Sequence, residues 1–353
     1  MMANDDDRVF LEYFDDLDLP DPATPVKLPP SLRDDLRRPD KYVPTDELVA
    51  AIKVALNLRQ PLLLTGKPGT GKTTLAWFVA ARLGYGDPLV FETKSTSSAN
   101  DLFYSYDALG RFAAVQTGAK AADGETTDRG RPQGKTTDPL SYITFNALGL
   151  AILKSADKNL VASVVHDPIQ KKIVQIRQPS VVLIDEVDKA PRDFPNDILN
   201  EIDRMFFRIA PAQGLLVEAG KGMQPVVIIT SNSEKDLPDA FLRRCVYFDI
   251  EFPSHSMLMR IVKDRLPSAI ADAEFIESAV TLYEQILDEG TRLQKRPGTA
   301  ELLDWLLALR TTDLDHGVAI TANTPQVMQT LGVLIKMRED LSEAGDILQR
   351  LGG

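Results

Sequence analysis

Apolar residues along this chain change their spacing several times, and each change marks an element. From Thr45 the pattern TDELVAAIKVALNL repeats apolar positions at helical spacing, so a helix capped by Thr45 is predicted through about Leu58. The run PLLLT reads as a buried strand. After a glycine-rich turn, helical spacing returns from Thr73 to Leu83. PLVFET at 88–93 is a second strand and SVVLIDE at 180–186 a third. Between these two strands lie about 86 residues, more than a plain crossover needs. That gap contains the polar, turn-rich GAKAADGETTDRGRPQGKTTDP and then SYITFNALGLAILKS, which reads as one helix. An insertion at about 110–179 therefore interrupts the crossover.

Further along, DFPNDILNEIDRMFF at 193–207 reads as a helix. FFRIA and LLVEA flank PAQG as a small hairpin. PVVIIT at 225–230 and VYFDIEF at 246–252 are two more strands. Strands alternating with helices predict an α/β fold with a parallel sheet. After Pro253 the strand pattern stops. HSMLMRIVKDRL, FIESAVTLYEQILDE, TAELLDWLLALR, TPQVMQTLGVLIKM and EDLSEAGDILQRL are amphipathic helices, an all-helical domain over 254–353.

The first 41 residues have a different character. Residues 1–21 hold eight carboxylates and one arginine, much of the chain's net charge of −11. With their prolines, residues 1–41 read as an acidic, proline-rich flexible tail. Within it VFLEYFDDLDL carries Phe10, Leu11, Phe14 and Leu17 at amphipathic helical spacing. The rest of the chain is close to neutral and has no basic tract, which weighs against duplex DNA as a partner. One cysteine, Cys245, excludes an internal disulfide and reads as a buried strand residue. Neither a secretory signal nor a membrane-spanning run is visible, so the cytoplasm is the expected compartment. His166, His255 and His316 lack the spacing of a zinc site or a catalytic triad. Trp77 and Trp305 sit in apolar helical patterns and read as core.

The candidate chemistry begins with GKPGTGKT: Gly66, Lys67, Pro68, Gly69, Thr70, Gly71, Lys72 and Thr73, with Thr74 following. This is the phosphate-binding pattern G-x-x-x-x-G-K-[ST], placed between a strand and a helix. Its glycines let backbone N–H groups close around a phosphate, and the helix N-terminus adds partial positive charge. Lys72 reaches the β- and γ-phosphates, and Thr73 offers a hydroxyl to Mg²⁺. VVLIDE places Asp185 and Glu186 at the C-terminal edge of a strand, the edge where ligands bind in open α/β sheets. Asp185 suits Mg²⁺, and Glu186 suits polarising a water against the γ-phosphate. Asp188 continues the turn and reads as solvated. VVIITSN ends in Asn232, suited to orienting that water.

The order GKPGTGKT, VVLIDE, PVVIITSN, LPDAFLRRC and then a helical domain resembles an AAA+ ATPase over roughly residues 42–340. The interrupted crossover resembles the helix-two insert, and FFRIAPAQGLLVEA the pre-sensor-one hairpin. Together with RPGTAELLDW they resemble the MoxR branch. The resemblance implies a parallel-sheet P-loop AAA+ core over 42–253 and a helical lid over 254–353. It implies ATP and Mg²⁺ as ligands, and a ring, a hexamer, as the assembly. It also implies a remodelled protein client and a partner bearing a von Willebrand factor A domain. Arg244 would be the arginine finger toward a neighbouring subunit, with Arg243 as the fallback. Arg296 is the choice for the sensor-two cation, although in this chain Gly298 and Thr299 follow Pro297. Tyr42 and Val43 fall where the family's linker walls the adenine pocket. Two other readings stay open at this point: a GTP-driven restriction-type motor, and a nucleotide switch within a defence or signalling complex.

Overall fold

Strand ends and helix caps follow from a few local hydrogen bonds. The computed structural model describes residues 38–121, 138–232, 236–266, 273–288, 293–309 and 318–352, together with Ser31, Thr312 and Leu314. The amphipathic stretch read at 9–19, and the polar loop after Gly118 apart from its two ends, lie outside the described residues. The chain divides into two compact units. One comprises residues 45–66 and 75–250, the other residues 1–44, 67–74 and 251–353. Residues 67–74 thus group with the C-terminal helices, whereas the sequence places them in the α/β part.

In the first unit, α1 (Asp46–Leu58) is capped by Thr45, whose hydroxyl accepts from Leu48 N at 3.2 Å. It buries Leu48, Ile52 and Ala55, one helical stripe. The apolar β1 (Leu62–Gly66) leads to α2 (Lys72–Leu83) and then β2 (Leu89–Glu92). Next come β3 (Tyr104–Tyr106), α3 (Ala108–Ala121) and β4 (Ile143–Phe145), with β3 and β4 paired antiparallel. Three short helices follow, α4 (Ala147–Ser155), α5 (Lys158–Val164) and α6 (Pro168–Val174), before β5 (Val181–Asp185). Asp157 and Asp167 cap α5 and α6 through their carboxylates. Then come α7 (Phe194–Asp197), α8 (Leu199–Arg204), β6 (Phe206–Ile209), β7 (Leu215–Glu218), β8 (Val226–Thr230), α9 (Asp239–Leu242) and β9 (Val246–Ile250). The main sheet has the order β2-β5-β8-β1-β9 with every pairing parallel, so all its C-terminal ends share one edge.

Two sequence expectations are corrected here. The single helix read over SYITFNALGLAILKS is β4 followed by α4. The side chain of buried Gln170 accepts from Phe145 N at 3.1 Å and donates to Phe145 O at 2.8 Å, holding that residue extended. Asn146 N donates to Phe103 O at 2.9 Å, so the chain turns at this point. A Cβ on Gly149 would lie 2.0 Å from the same carbonyl, so α4 approaches it as only glycine permits. The helix read over 193–207 breaks at Ile198 and ends at Met205, which takes φ 49. The Met205 carbonyl accepts from Ala219 N at 2.9 Å, so Phe206 and Phe207 belong to the β6–β7 hairpin.

The second unit contains α10 (His255–Arg265), α11 (Ala273–Leu287), α12 (Thr299–Leu309), α13 (Thr324–Leu334) and α14 (Arg338–Gly352). Their core is built on Trp305, Tyr283, Phe275 and Leu302. Trp305 donates its indole N–H to Thr330 Oγ1 at 3.0 Å, which satisfies a donor with no water access. Trp77, by contrast, is only half-buried. No helix among the described residues is long and apolar enough to cross a membrane.

His255, the first residue of α10, contacts two carboxylates of α11: Glu284 at 2.7 Å and Glu277 at 3.1 Å. The Glu284 hydrogen bond is the larger cause that raises the imidazole pKa above 6.5. The folded pKa exceeds the unfolded one. The contribution to stability is therefore complete below about pH 6.5 and lost as pH rises through the folded value. NMR titration should place the His255 midpoint above 6.5. Glu284→Gln should lower it, and the stability gap between wild type and variant should shrink on going to alkaline pH.

Candidate functional site

The loop leaving β1 has its geometry set by three glycines. Gly66, the last residue of β1, takes φ 134, and a Cβ there would lie 2.5 Å from Ile250 O of β9. Gly69 and Gly71 take φ 79 and 86, in the left-handed region that favours glycine. Between them the Lys67 carbonyl accepts from Thr70 Oγ1 and from Lys72 Nζ, both at 2.9 Å. Lys72 is buried at the start of α2 with its ammonium turned back over the loop. Lys67, Pro68 and Thr73 are exposed and Thr74 is half-buried.

A pocket in the same unit adjoins this loop. Tyr42 and Val43 line one part of it, and Gly69, Thr70, Gly71 and Thr74 another. Residues the sequence did not single out for the site complete it: Pro253, Ile261 and Arg265, then Thr299, Ala300 and Leu303 from α12. Burial pushes the Tyr42 phenol up to about 12, so it is a neutral wall. The Arg265 guanidinium sits 5.5 Å over the Tyr42 ring, within cation–π range, and its residue is 9% exposed. Burial also lowers its pKa from 12.5.

Arg296 does not match the role inferred for it. It is exposed and does not line the pocket. The residue that follows Pro297 is fixed as glycine by space. A Cβ on Gly298 would lie 2.8 Å from Pro68 O and 2.9 Å from Gly69 Cα. A side chain at that position would meet the backbone of the glycine-rich loop, and the cation that does line the pocket is Arg265 of α10.

The C-terminal edge of the sheet carries the carboxylates. Thr230 Oγ1 donates to Asp185 Oδ1 at 2.5 Å and accepts from Glu186 N at 2.9 Å. Glu186 takes φ 56, a left-handed conformation for a residue with a Cβ. Its carboxylate accepts from Asn232 Nδ2 at 3.0 Å and pairs with Lys189. Asp188 is not solvated as expected. It is 2% exposed and accepts from Asn232 N at 3.2 Å. The structure therefore groups Asp185, Glu186 and Asn232 as the sequence order suggests, and adds Thr230 and Asp188 to them.

Arg244 follows α9 and is exposed, its Nε 2.8 Å from Asp203 Oδ2 of α8. Arg243 is exposed beside it. Cys245 is half-buried just ahead of β9 rather than within a strand, and burial pushes its thiol up to about 12.

The glycine geometry gives a direct test. Gly69→Ala adds a strained φ and a Cβ 3.0 Å from Gly298 Cα. A fluorescent ATP analogue should bind it about tenfold or more weakly than wild type. Gly332→Ala, whose Cβ meets open space, should leave binding unchanged.

A family model described as "ATPase family associated with various cellular activities (AAA)" matches residues 62–254. No curated protein matches the chain. Among solved structures, three point mutants of Thermotoga maritima RuvB align with TM-scores of 0.46, 0.44 and 0.44 at 16%, 16% and 15% identity. The alignments cover 84%, 85% and 85% of this chain and 73% of each of those chains. The family model spans the sheet from its first residue in β1 to beyond β9, more than half of the chain, and the chain belongs to the ATPase family associated with various cellular activities.

Proposed function

We propose that this chain is a MoxR-like, Mg²⁺-dependent ATPase. In this reading it assembles into a hexameric ring and remodels a protein client, with a von Willebrand factor A protein as partner. The observation that carries the hydrolytic part is the group at the sheet edge: Asp185 held by Thr230, with Glu186 held by Asn232. A protein that only sensed a nucleotide would have little need of the second carboxylate. The MoxR part is supported by β3, α3 and β4 interrupting the crossover and by the β6–β7 hairpin just before β8.

The loop suits a polyphosphate, because Gly69 and Gly71 take φ 79 and 86, the positive-φ turns that let backbone N–H groups close around a phosphate. Mg²⁺, when bound, supplies charge neutralisation at the phosphates, with the Thr73 hydroxyl and the Asp185 carboxylate as its holders. Lys72 neutralises the β- and γ-phosphates once its ammonium leaves the Lys67 carbonyl. Glu186 accepts a proton from the attacking water, and Asn232 orients that water. Tyr42 and Val43 wall the base, beside Arg265. Arg244 stabilises the γ-phosphate charge of a neighbouring subunit, exchanging the Asp203 carboxylate for it.

Glu186→Gln removes only the proton acceptor. It should keep ATP binding and lose turnover by about 10²–10⁴-fold, whereas Lys72→Ala should lose binding. Hydrolysis by Glu186→Gln at the wild-type rate would remove Glu186 from the mechanism. Arg244→Ala should lower turnover by about 10³–10⁵-fold. Mixing it with Lys72→Ala subunits should restore part of the activity, because intact interfaces then form between unlike copies. Light scattering with saturating ATP should read a hexamer, and a monomer would refute the ring.

A further inference from the structure

Away from the nucleotide residues, α4, α5 and α6 enclose a cavity of about 430 Å³. That is the size of a ligand pocket. Its floor is apolar, formed by Leu153, Val161, Val165 and Val174. Four cations line it: Lys154, Lys158, Lys171 and Arg177. No carboxylate is among the lining residues, and none of the four cations is in an ion pair among the described residues. Lys158, Lys171 and Arg177 are exposed, whereas Leu153, Val165 and Val174 are buried. Lys154 is half-buried, and burial alone pushes its pKa down, so a carboxylate brought beside it relieves a real cost. Arg177 is oriented by donating Nε and Nη2 to Ser155 O at 3.3 Å. A complementary occupant has apolar side chains for the floor and carboxylates for the mouth.

We propose that this cavity receives apolar side chains of the acidic N-terminal segment, residues 5–18, of a second copy of this chain, with the segment's carboxylates at the cationic mouth. That segment, DDDRVFLEYFDDLD, holds seven carboxylates against one arginine. Phe10, Leu11, Phe14 and Leu17 are interspersed among them. The segment's net charge of −6 over fourteen residues complements a cluster of four cations that has no carboxylate among its lining residues. Members of the AAA family typically oligomerise as rings, and in an assembly each copy's segment is at high effective concentration for its neighbours. Within the reading above, the inference rests on assembly and not on ATP turnover.

The test uses full-length protein. An unlabelled copy carrying the photo-crosslinker benzoylphenylalanine in place of Phe14 is mixed with a ¹⁵N-labelled copy lacking it, then irradiated and digested. The expected product joins the light segment to heavy peptides from 153–177. Lys158→Glu with Lys171→Glu in the heavy copy, both exposed positions, should cut the yield by about fivefold or more. Unchanged circular dichroism would show that this variant remains folded, and Lys154→Glu should give the same loss. Light-to-light products only, heavy products mapping elsewhere, a yield indifferent to charge reversal, or no product would each overturn the proposal. Light scattering of the same mixture reports assembly, and ATP turnover reports hydrolysis. Failure of the ring or of the ATPase reading is thereby distinguishable from failure of this one.

Discussion

The hydroxyl of Thr230 connects two neighbouring strands at the edge where the sheet ends. It donates a hydrogen bond to the Asp185 carboxylate and accepts one from the Glu186 backbone N–H. The parallel pairing of β5 with β8 is what brings these groups level. Glu186 leaves the strand in a left-handed conformation that costs roughly 1–2 kcal/mol. A backbone hydrogen bond contributes about 1 kcal/mol and a hydrogen bond to a carboxylate about 1.5–3 kcal/mol. The two Thr230 bonds therefore outweigh the strain. With that turn fixed, the Glu186 side chain lies within reach of Asn232 and Lys189. Loss of the Thr230 hydroxyl would leave the Glu186 N–H and the Asp185 carboxylate without this partner.

Legibility in the sequence followed the range of each interaction. The glycine-rich turn after β1 could be read directly, because positive φ at Gly69 and Gly71 and the close approach at Gly66 demand glycine at those positions. The central strands β1, β5 and β8 were equally clear, since they are buried and their runs are continuously apolar. What was missed depends on distant partners. Phe145 is held out of a helix by Gln170, a residue in another element, and nothing in SYITFNALGLAILKS announces it. Met205 ends α8 because its carbonyl is taken by Ala219 across the hairpin. Asp188 looked solvated because its burial depends on the Asn232 backbone of another strand end.

Arg265 and Arg296 show the same limit at the site itself. Arg296 was chosen for its place beside Pro297, a local criterion. The pocket instead receives Arg265, which stacks over Tyr42 although some 220 residues separate the two. Lys41 Nζ donates to the Arg265 carbonyl at 3.2 Å, so the chain before α1 fixes both the ring and the end of α10. A Cβ at Gly298 would lie 2.8 Å from the Pro68 carbonyl, which accounts for glycine after Pro297 but is invisible in the local sequence.

The phosphate loop has a mixed allegiance that follows from these contacts. By chain connection it begins at the end of β1 and continues into α2. By packing, residues 67–74 group with the C-terminal helices, through Gly69 against Gly298 and Gly71 against Tyr42. Its two ends are thus continuous with strand and helix while Gly69 packs against Gly298, just ahead of α12. The Lys72 ammonium donates to the Lys67 carbonyl, so under the proposed function a phosphate would compete with that bond. The same carbonyl accepts from Thr70, in the turn whose Gly69 packs against Gly298.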